Sequence, residues 1–310
     1  MPRVTMNDVD KRPGPSTPAV VITGATQGIG RALAAEFARG GHALLLVARD
    51  EAKLTEIARE LADAHSVEVK FTAQDLSTVE GCAEVEHALR RFNLYADILV
   101  NNAAIMTAGF FQDQDPATLR QIVDLDARAV VDLTRRFLPD MLARKRGGVL
   151  NVASVEGFMP VPYQAVYAAS KAFVLSFTRA LAYETMWTNV RVTALAPGAI
   201  ATTMHAKAGA EYSRYVQLFP VMAAEDVARI GYRKFKRGRK VIVTGLFNRL
   251  SVFARRFAPD FALVPFMGWL FRVRDADGNL QMPGPLDKPK IGENRPAAEA
   301  APTGRKRLSA

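Results

Sequence analysis

Short apolar runs alternate with helical segments along most of this 310-residue chain. Seven short runs are predicted strands: Ala19–Thr23, Ala43–Val47, Val67–Phe71, Asp97–Val100, Val149–Val152, Val190–Ala194 and Lys240–Val243. Val67–Phe71 alternates apolar and polar residues, and the others are largely apolar on both faces, as buried parallel strands are. The predicted helices between them are Gly28–Arg39, a segment capped by Asp50, Ser77–Phe92, 116–145, Tyr163–Met186 and Ala224–Lys236. Because parallel strands need crossover helices, the alternation predicts an α/β fold with a Rossmann-like, doubly wound, seven-stranded parallel sheet.

This pattern divides the chain into four parts. Residues 1–17 are rich in Pro and Gly and read as a flexible lead-in without the apolar stretch of a secretory signal. Residues 18–245 are predicted to be a single dinucleotide-binding and catalytic domain. An amphipathic and apolar helical extension, 246–272, follows it. The rest, 273–310, is rich in Pro, Ala and charge and is predicted to be a disordered basic tail.

Charge and cysteine content exclude several classes of protein. Residues 231–310 carry 17 of the 41 Lys and Arg residues but only 6 of the 31 acids, so the rest is close to neutral. A uniformly basic nucleic-acid-binding protein does not have this distribution. The one cysteine, Cys82, allows no intrachain disulfide and no cysteine metal site, and we expect no metal. A reducing, cytoplasmic location fits this composition.

A glycine-rich turn follows the first strand. The segment Thr23-Gly24-Ala25-Thr26-Gln27-Gly28-Ile29-Gly30 joins that strand to the first helix. Gly24 allows a tight turn, Gly28 a close approach of the backbone to phosphates, and Gly30 close packing of helix on strand. A helix N-terminus binds anions through its amide groups, so this turn predicts a dinucleotide pyrophosphate site.

The spacing of this turn resembles that of the short-chain dehydrogenase/reductase family. Four further motifs follow in the family's order over residues 18 to about 244: Asn101-Asn102-Ala103-Ala104, Ser154, Tyr167-x-x-x-Lys171 and Pro197-Gly198-Ala199-Ile200. The family usually has Gly where Ala104 stands. The resemblance implies that Asn102, Ala103, Tyr167, Lys171, Pro197, Gly198, Ile200 and Thr202 contact the cofactor, together with Thr26, Gln27 and Ile29 of the turn.

Tyr167 and Lys171 lie one helical turn apart. An ammonium beside a phenol favours the phenolate, so we expect Lys171 to lower the pKa of Tyr167 toward the range of a general acid and base. Ser154 can donate a hydrogen bond to the substrate oxygen. These roles predict an oxidoreductase that interconverts a carbonyl compound and a primary or secondary alcohol.

One residue of the predicted helix 116–145 departs from the family pattern. The family usually has an Asn there that helps to hold a water in the proton relay, and the matching position is Asp126. A carboxylate at this place could pair with Lys171 and weaken its effect on Tyr167. The alternatives are that Asp126 faces solvent or that the match is displaced by one turn.

The end of the second strand bears on the choice of cofactor. Ala48 stands where an acid would bind the ribose of NAD(H), and Arg49 next to it can pair with a 2′-phosphate. We therefore expect NADP(H) in preference to NAD(H). Asp75 and Leu76 match the family's adenine-binding pair, and the alternative is an ordinary turn at the end of a strand.

The substrate side is predicted to be apolar and adaptable, which suits a lipophilic substrate. Its candidate lining residues are Phe158, Met159, Val161, Tyr163, Met204, Leu218, Phe219 and Met222. The alternative is that these side chains pack on one another. We expect a homodimer or homotetramer.

The extension carries two apolar segments. Leu246–Phe257 reads as a basic amphipathic helix, and Phe261–Phe271 as an uncharged run that is too short to span a bilayer and is interrupted by Pro265 and Gly268. Residues 246–274 fit a contact at a membrane surface, a cap over the pocket or a contact between subunits. Two other functions stay open for the whole chain: a non-catalytic dinucleotide sensor and a membrane-surface scaffold.

Overall fold

Seven parallel strands form one sheet in the computed structural model, which describes residues 17–200, 208, 210 and 212–273. The strands are β1 Thr17–Thr23, β2 Ala43–Ala48, β3 Val69–Ala73, β4 Leu94–Asn101, β5 Gly147–Val152, β6 Val190–Ala196 and β7 Val241–Val243. Their order is β3-β2-β1-β4-β5-β6-β7. The Rossmann-like, doubly wound parallel sheet that the sequence predicts is therefore confirmed.

Helices cover both faces of this sheet. They are α1 Gly28–Arg39, α2 Glu51–His65, α3 Val79–Arg91, α4 Pro116–Val123, α5 Ala129–Ala143, α6 Ala165–Glu184, α7 Arg214–Leu218, α8 Ala224–Lys236, α9 Leu246–Ala254 and α10 Asp260–Phe271. One buried cluster joins the sheet to α1, α2 and α8 around Phe37 and Phe235. A second joins it to α3, α5 and α6 around Phe137 and Met141.

The sheet has a switch point that places the site. The chain winds outward in one direction from β1 to β3 and in the other from β4 to β7, so β1 and β4 are neighbours in the middle. Ligands of such sheets bind beyond the carboxyl ends of the strands at this point. The motifs predicted for the cofactor follow β1 and β4, so the topology brings them together.

Several predicted boundaries move in the structure. The third strand begins at Val69 instead of Val67 because its pairing with β2 starts at Leu44 opposite Val69. The fourth begins at Leu94 because Thr17 of β1 already pairs there. The predicted helix 116–145 ends at Ala143 and contains a π-helical turn, Asp124–Arg128, between α4 and α5. Such turns add a residue and turn the side chains that follow.

The predicted interruption of 261–271 is wrong, because α10 runs continuously from Asp260 to Phe271. Pro265 removes only the amide that would bond to residue 261, near the exposed start of the helix. Met267, Leu270 and Phe271 are buried against Tyr215 and Val161, and this packing holds the rest of α10. Gly268 lies in ordinary contact with Pro162.

Within the described ranges, no helix is both long enough and apolar enough to cross a bilayer. The predicted lead-in, except for Thr17, and the predicted tail, except for Val273, lie outside the described residues.

Candidate active site

The turn after β1 has the geometry that its glycines predict. Gly24 and Gly28 have φ angles of 65° and 53°, a region that favours glycine. A Cβ on Gly30 would lie 2.2 Å from the carbonyl oxygen of Gly24, so the first turn of α1 can fold against this loop only with glycine there. No acidic residue stands in the first turn of α1, which leaves its positive dipole end suited to a phosphate.

The motif after β4 braces this loop. The side-chain amide of Asn102 donates to the carbonyl oxygens of Thr23 at 2.8 Å and Gly24 at 3.2 Å. The backbone amides of Asn102 and Ala103 donate to the Thr23 hydroxyl at 2.8 and 2.9 Å. Thr23 and Asn102 therefore join the carboxyl ends of β1 and β4 at the switch point.

A cavity of about 550 Å³ runs along the carboxyl ends of the strands from β3 to β6, and this loop lies near its middle. Most of the predicted cofactor residues line it: Gly24, Thr26, Gln27, Gly28, Ile29, Arg49, Asp75, Leu76, Asn102, Ala103, Tyr167, Lys171, Pro197, Gly198 and Ile200. Gly30 lies behind the loop, and Thr202 lies outside the described residues. A lining that spans the ends of six neighbouring strands, with the glycine loop near its middle, fits an extended dinucleotide.

Ser154, Tyr167 and Lys171 come together on the wall of this cavity. Ser154 follows β5, and its hydroxyl oxygen accepts a hydrogen bond of 3.2 Å from the backbone amide of Glu156. Tyr167 and Lys171 lie one turn apart in α6, with the Lys171 Nζ 5.5 Å from the centre of the Tyr167 ring. All three side chains are buried. The arrangement can present two hydroxyls and one ammonium to a ligand.

Asp126 lies in the π-helical turn and faces Lys171. Its Oδ2 is 3.1 Å from the Lys171 Nζ, and its Oδ1 accepts a hydrogen bond of 3.0 Å from the Ile105 amide. Lys171 also donates to the Val152 carbonyl oxygen at 3.4 Å. Asp126 is 0% exposed, which excludes the alternative that it faces solvent. The pairing that the sequence analysis considered is therefore present.

The expected lowering of the Tyr167 pKa is not found. Burial raises the pKa of Tyr167 well above its ordinary value, and the charges of Glu156 and Asp126 raise it further, against a hydrogen bond with Ser154 that lowers it. The prediction considered only the Lys171 ammonium. Asp126 offsets that charge at 3.1 Å, and burial penalises the phenolate.

The sequence analysis missed Glu156, which also lines the cavity. The residue is 4% exposed, and its Oε2 has no hydrogen-bond partner among the described residues. Burial raises the pKa of Glu156 to about 8, against the opposing effect of Lys171. An acid two residues after Ser154, within an apolar stretch, was the available signal.

The region after β2 holds a second basic residue, Lys53, which the sequence analysis did not identify. Arg49 and Lys53 both line the far end of the cavity, beside Ala48. Asp50 accepts a hydrogen bond of 3.1 Å from the Lys53 amide and so caps α2, as predicted. Asp75 accepts hydrogen bonds from the amide and hydroxyl of Ser77, which is also the geometry of a turn at the end of a strand.

The loop after β6 contacts the extension. A Cβ on Gly198 would lie 2.3 Å from the side-chain nitrogen of Asn248 in α9. Asn248 is buried and donates to the Thr244 carbonyl oxygen at 2.8 Å. Sequence reasoning missed this asparagine, because nothing in the sequence places α9 against the cofactor loop.

The predicted substrate residues within the described ranges do not line the cavity. Met159, Val161, Tyr163 and Phe219 pack around Tyr215 and Phe271, which is the alternative that the sequence left open. Phe158 and Met222 belong to other clusters, and Leu218 is exposed. The apolar part of the lining comes instead from Ile105, Met106, Leu125 and Ile200. Met204 lies outside the described residues.

Comparison with known proteins gives one consistent result. A family model described as "short chain dehydrogenase" matches residues 18–213. The 11-beta-hydroxysteroid dehydrogenase A of Sesamum indicum is 31% identical over 288 residues, which cover 88% of this chain and 79% of that protein.

Two solved structures extend the comparison to the fold. A short-chain dehydrogenase from Sphingobium yanoikuyae in complex with NADPH is 32% identical, with a TM-score of 0.69 over 84% of this chain and 99% of that one. A short-chain dehydrogenase/reductase from Burkholderia phymatum in complex with NAD is 25% identical, with a TM-score of 0.69 over 79% of this chain and 95% of that one.

Proposed function

Because the chain belongs to the short-chain dehydrogenase/reductase family of oxidoreductases, which act on CH–OH groups with a nicotinamide dinucleotide, we propose that it uses NADP(H) to interconvert a lipophilic carbonyl compound and its alcohol. One observation carries the proposal. The Ser154 and Tyr167 hydroxyls and Lys171 line the same cavity as the glycine loop. A sensor that only binds a dinucleotide has no need of them.

The residues divide the chemistry between them. The bound cofactor supplies or accepts the hydride at its nicotinamide ring. During reduction, the Tyr167 hydroxyl donates its proton to the carbonyl oxygen, and Ser154 donates a hydrogen bond to the same oxygen. Lys171, one turn from Tyr167, would hold the cofactor and lies beside the residue that transfers the proton. Asp126 holds Lys171 in place through their ion pair.

The preference for NADP(H) rests on charge at the far end of the cavity. Arg49 and Lys53 line it, and Ala48 stands where a carboxylate would repel a 2′-phosphate. Both cofactors occur among the similar structures, so this preference is argued from the residues of this chain. Lys53 also lies 3.4 Å from Asp50, which leaves Arg49 as the principal phosphate ligand.

The lipophilic substrate class rests on the cavity wall and on a relative. Ile105, Met106 and Ile200 give the wall near Tyr167 an apolar surface. The relative from Sesamum indicum is named for a hydroxysteroid, which is a lipophilic alcohol. A panel of ketones and aldehydes of increasing apolar size, tested for NADPH consumption, examines the function. If NADPH binds but no member of a broad panel is reduced, the sensor function replaces the enzymatic one.

Assembly into a homodimer or homotetramer is also part of the proposal. Val131 on α5, Phe173 on α6 and Trp187 just after α6 are exposed apolar side chains, and Trp187 is 87% exposed. Exposed apolar surface of this kind is common at subunit contacts. Light scattering coupled to size-exclusion chromatography measures the mass directly. A monomer at micromolar concentration would contradict the proposed assembly.

A second candidate function is contact with a membrane surface through the extension. Large apolar side chains of α9 and α10, and of the short link between them, are exposed: Leu246, Leu250, Phe253, Phe257, Phe261, Phe266 and Trp269. Arg249 and Arg256 lie in the same segment. Apolar side chains flanked by arginines suit an interface with anionic headgroups.

Surface substitutions test this candidate better than truncation, because Asn248, Met267 and Phe271 are buried in the protein. The double variant Phe257→Ser/Phe261→Ser should lose cosedimentation with vesicles that contain anionic lipid. Trp187→Ser removes an equally exposed aromatic outside the extension and should keep it. If the wild-type protein does not pellet with such vesicles at low salt, the exposed face serves a protein contact instead.

A further inference from the structure

Three buried ionisable side chains lie near Tyr167, in or behind the wall of the cavity. Lys171 and Asp126 form a contact ion pair, and Glu156 lies beside Ser154 on the 3₁₀ turn Val155–Phe158, which packs against α6. All three side chains are at most 4% exposed. The family pattern that the sequence resembles usually has a neutral Asn where Asp126 stands.

The ion pair removes the positive charge that would stabilise a phenolate. Asp126 and Lys171 together have a net charge of zero, whichever of them holds the shared proton. At 3.1 Å in a buried site, their fields at Tyr167 largely cancel. Glu156 then adds either a neutral carboxyl group or a negative charge. In neither state do these three side chains give Tyr167 a net positive neighbour.

We propose that Asp126 and Glu156 are positioning residues that keep the proton on Tyr167, so that this site is built to donate a proton to a carbonyl oxygen and accepts one from an alcohol only in alkaline solution. This inference rests on the proposed function. In the reduction, hydride from the nicotinamide forms the new C–H bond, and the Tyr167 proton forms the O–H bond of the alcohol. Water then returns a proton to Tyr167.

The electrostatics of the groups that face Glu156 agree with this assignment. Lys171 and Tyr167 approach it from α6, and Tyr215 approaches from α7. Burial raises the pKa of Glu156 to about 8, so Glu156 becomes negatively charged in alkaline solution. An alcohol oxidation would need the Tyr167 phenolate in that same pH range. The pKa of Tyr167 is raised by burial first, then by the charges of Glu156 and Asp126. Each carboxyl therefore opposes the ionisation of Tyr167.

The test measures both directions of turnover against pH, with one ketone and its alcohol and the matching cofactor forms. Wild type, Asp126→Asn, Glu156→Gln and the double variant are compared. In the wild type, the midpoint of alcohol oxidation should lie above about pH 9. Each single variant should lower that midpoint by about one unit, and the double variant by more. In every variant the rate of reduction should stay independent of pH around pH 6, whatever its magnitude, because Tyr167 is protonated there.

The control is Glu225→Gln, which changes an exposed acid in the first turn of α8 and should move neither profile. A wild-type oxidation that already reaches its maximum at pH 7 would overturn the proposal, and so would variants whose midpoint is unchanged or higher. Should no substrate pair turn over, the proposed function fails separately. The difference in tyrosinate absorbance between wild type and Tyr167→Phe still reports the pH at which Tyr167 ionises, and ionisation below pH 9 overturns the inference.

Discussion

The two ends of the cavity are held by different physical means. At the cofactor end, Gly24, Gly30 and Asn102 fix the loop through backbone conformation and neutral hydrogen bonds. At the proton-transfer end, Lys171, Asp126 and Glu156 are ionisable groups buried within one small region. The first end depends on shape and the second on charge. Changes at the first should therefore act on cofactor binding, and changes at the second on turnover and its pH dependence.

The largest expected effect separates the two ends most clearly. Tyr167→Phe should reduce kcat at least a hundredfold, because it removes the only hydroxyl proposed to carry the proton. NADPH affinity should change by less than about threefold, since the glycine loop is untouched. Stopped-flow turnover and fluorescence titration of NADPH measure the two quantities. Tyr183→Phe changes an exposed tyrosine on the same helix and should alter neither. Retention of more than about a tenth of kcat would contradict the role of Tyr167.

The cofactor end should respond in the opposite way to Gly30→Ala. The added Cβ would meet the Gly24 carbonyl oxygen at 2.2 Å, so the loop must move away from the position that cradles phosphate. We expect NADPH affinity to fall at least tenfold. Gly268→Ala is the matched control, because its Cβ meets Pro162 at an ordinary 3.6 Å. Calorimetric titration of both variants decides the matter, and an unchanged affinity for Gly30→Ala would show that the loop is not the phosphate site.

The difference between the ends also explains what the sequence could predict. The glycine loop is specified by eight consecutive residues between a strand and a helix, and its constraint is local. The pairing of Asp126 with Lys171 could be considered from the family pattern, but which way Asp126 faces depends on a π-helical turn that helical periodicity does not show. Glu156 was missed for a related reason. Its burial depends on α6 and α9 packing against the turn Val155–Phe158, which no short sequence motif records.

The predicted substrate residues show a similar limit on what the sequence can predict. Met159, Tyr163 and Phe219 have the apolar, adaptable character of a substrate lining, and composition alone cannot distinguish that use from packing under a cap. The deciding contact is α10, whose Met267, Leu270 and Phe271 cover them. A helix that the sequence analysis expected to be interrupted by Pro265 therefore determines where the apolar residues of the loop can lie.

The burial of charge at the proton-transfer end should reduce stability in alkaline solution. The folded protein keeps the Glu156 proton up to about pH 8, whereas an unfolded chain releases it near 4.5. Folding stability contributed by this group therefore falls as pH rises from 4.5 to 8 and stays low above that. Glu156→Gln has no proton to lose, so it should stabilise the protein at pH 9 by roughly 3 to 5 kcal/mol relative to its effect at pH 5.

Thermal or urea unfolding of Glu156→Gln at the two pH values measures this difference. Glu225→Gln, on the surface of α8, provides the control for removal of a negative charge without burial. If the stability of Glu156→Gln relative to wild type is the same at pH 5 and pH 9, Glu156 does not retain its proton in the folded state. The contrast between a neutral and a charged end of the cavity would then be weaker than the structure indicates.

The smallest expected effect concerns Arg49, a charged residue at the cofactor end of the cavity. Arg49 is exposed, so its contact with a 2′-phosphate is partly screened by solvent. Arg49→Ala should weaken NADPH binding about tenfold and leave NADH binding within about twofold, because NADH has no phosphate there. Arg59→Ala removes an exposed arginine of the helix that follows, α2, which forms an ion pair with Asp63 away from the cavity, and should change neither affinity. Lys53 remains in Arg49→Ala, so a residual preference for NADPH is expected. A wild-type protein that binds NADH more tightly would contradict the charge argument for this whole region. A variant with an unchanged NADPH preference would show that Arg49 does not contact the 2′-phosphate.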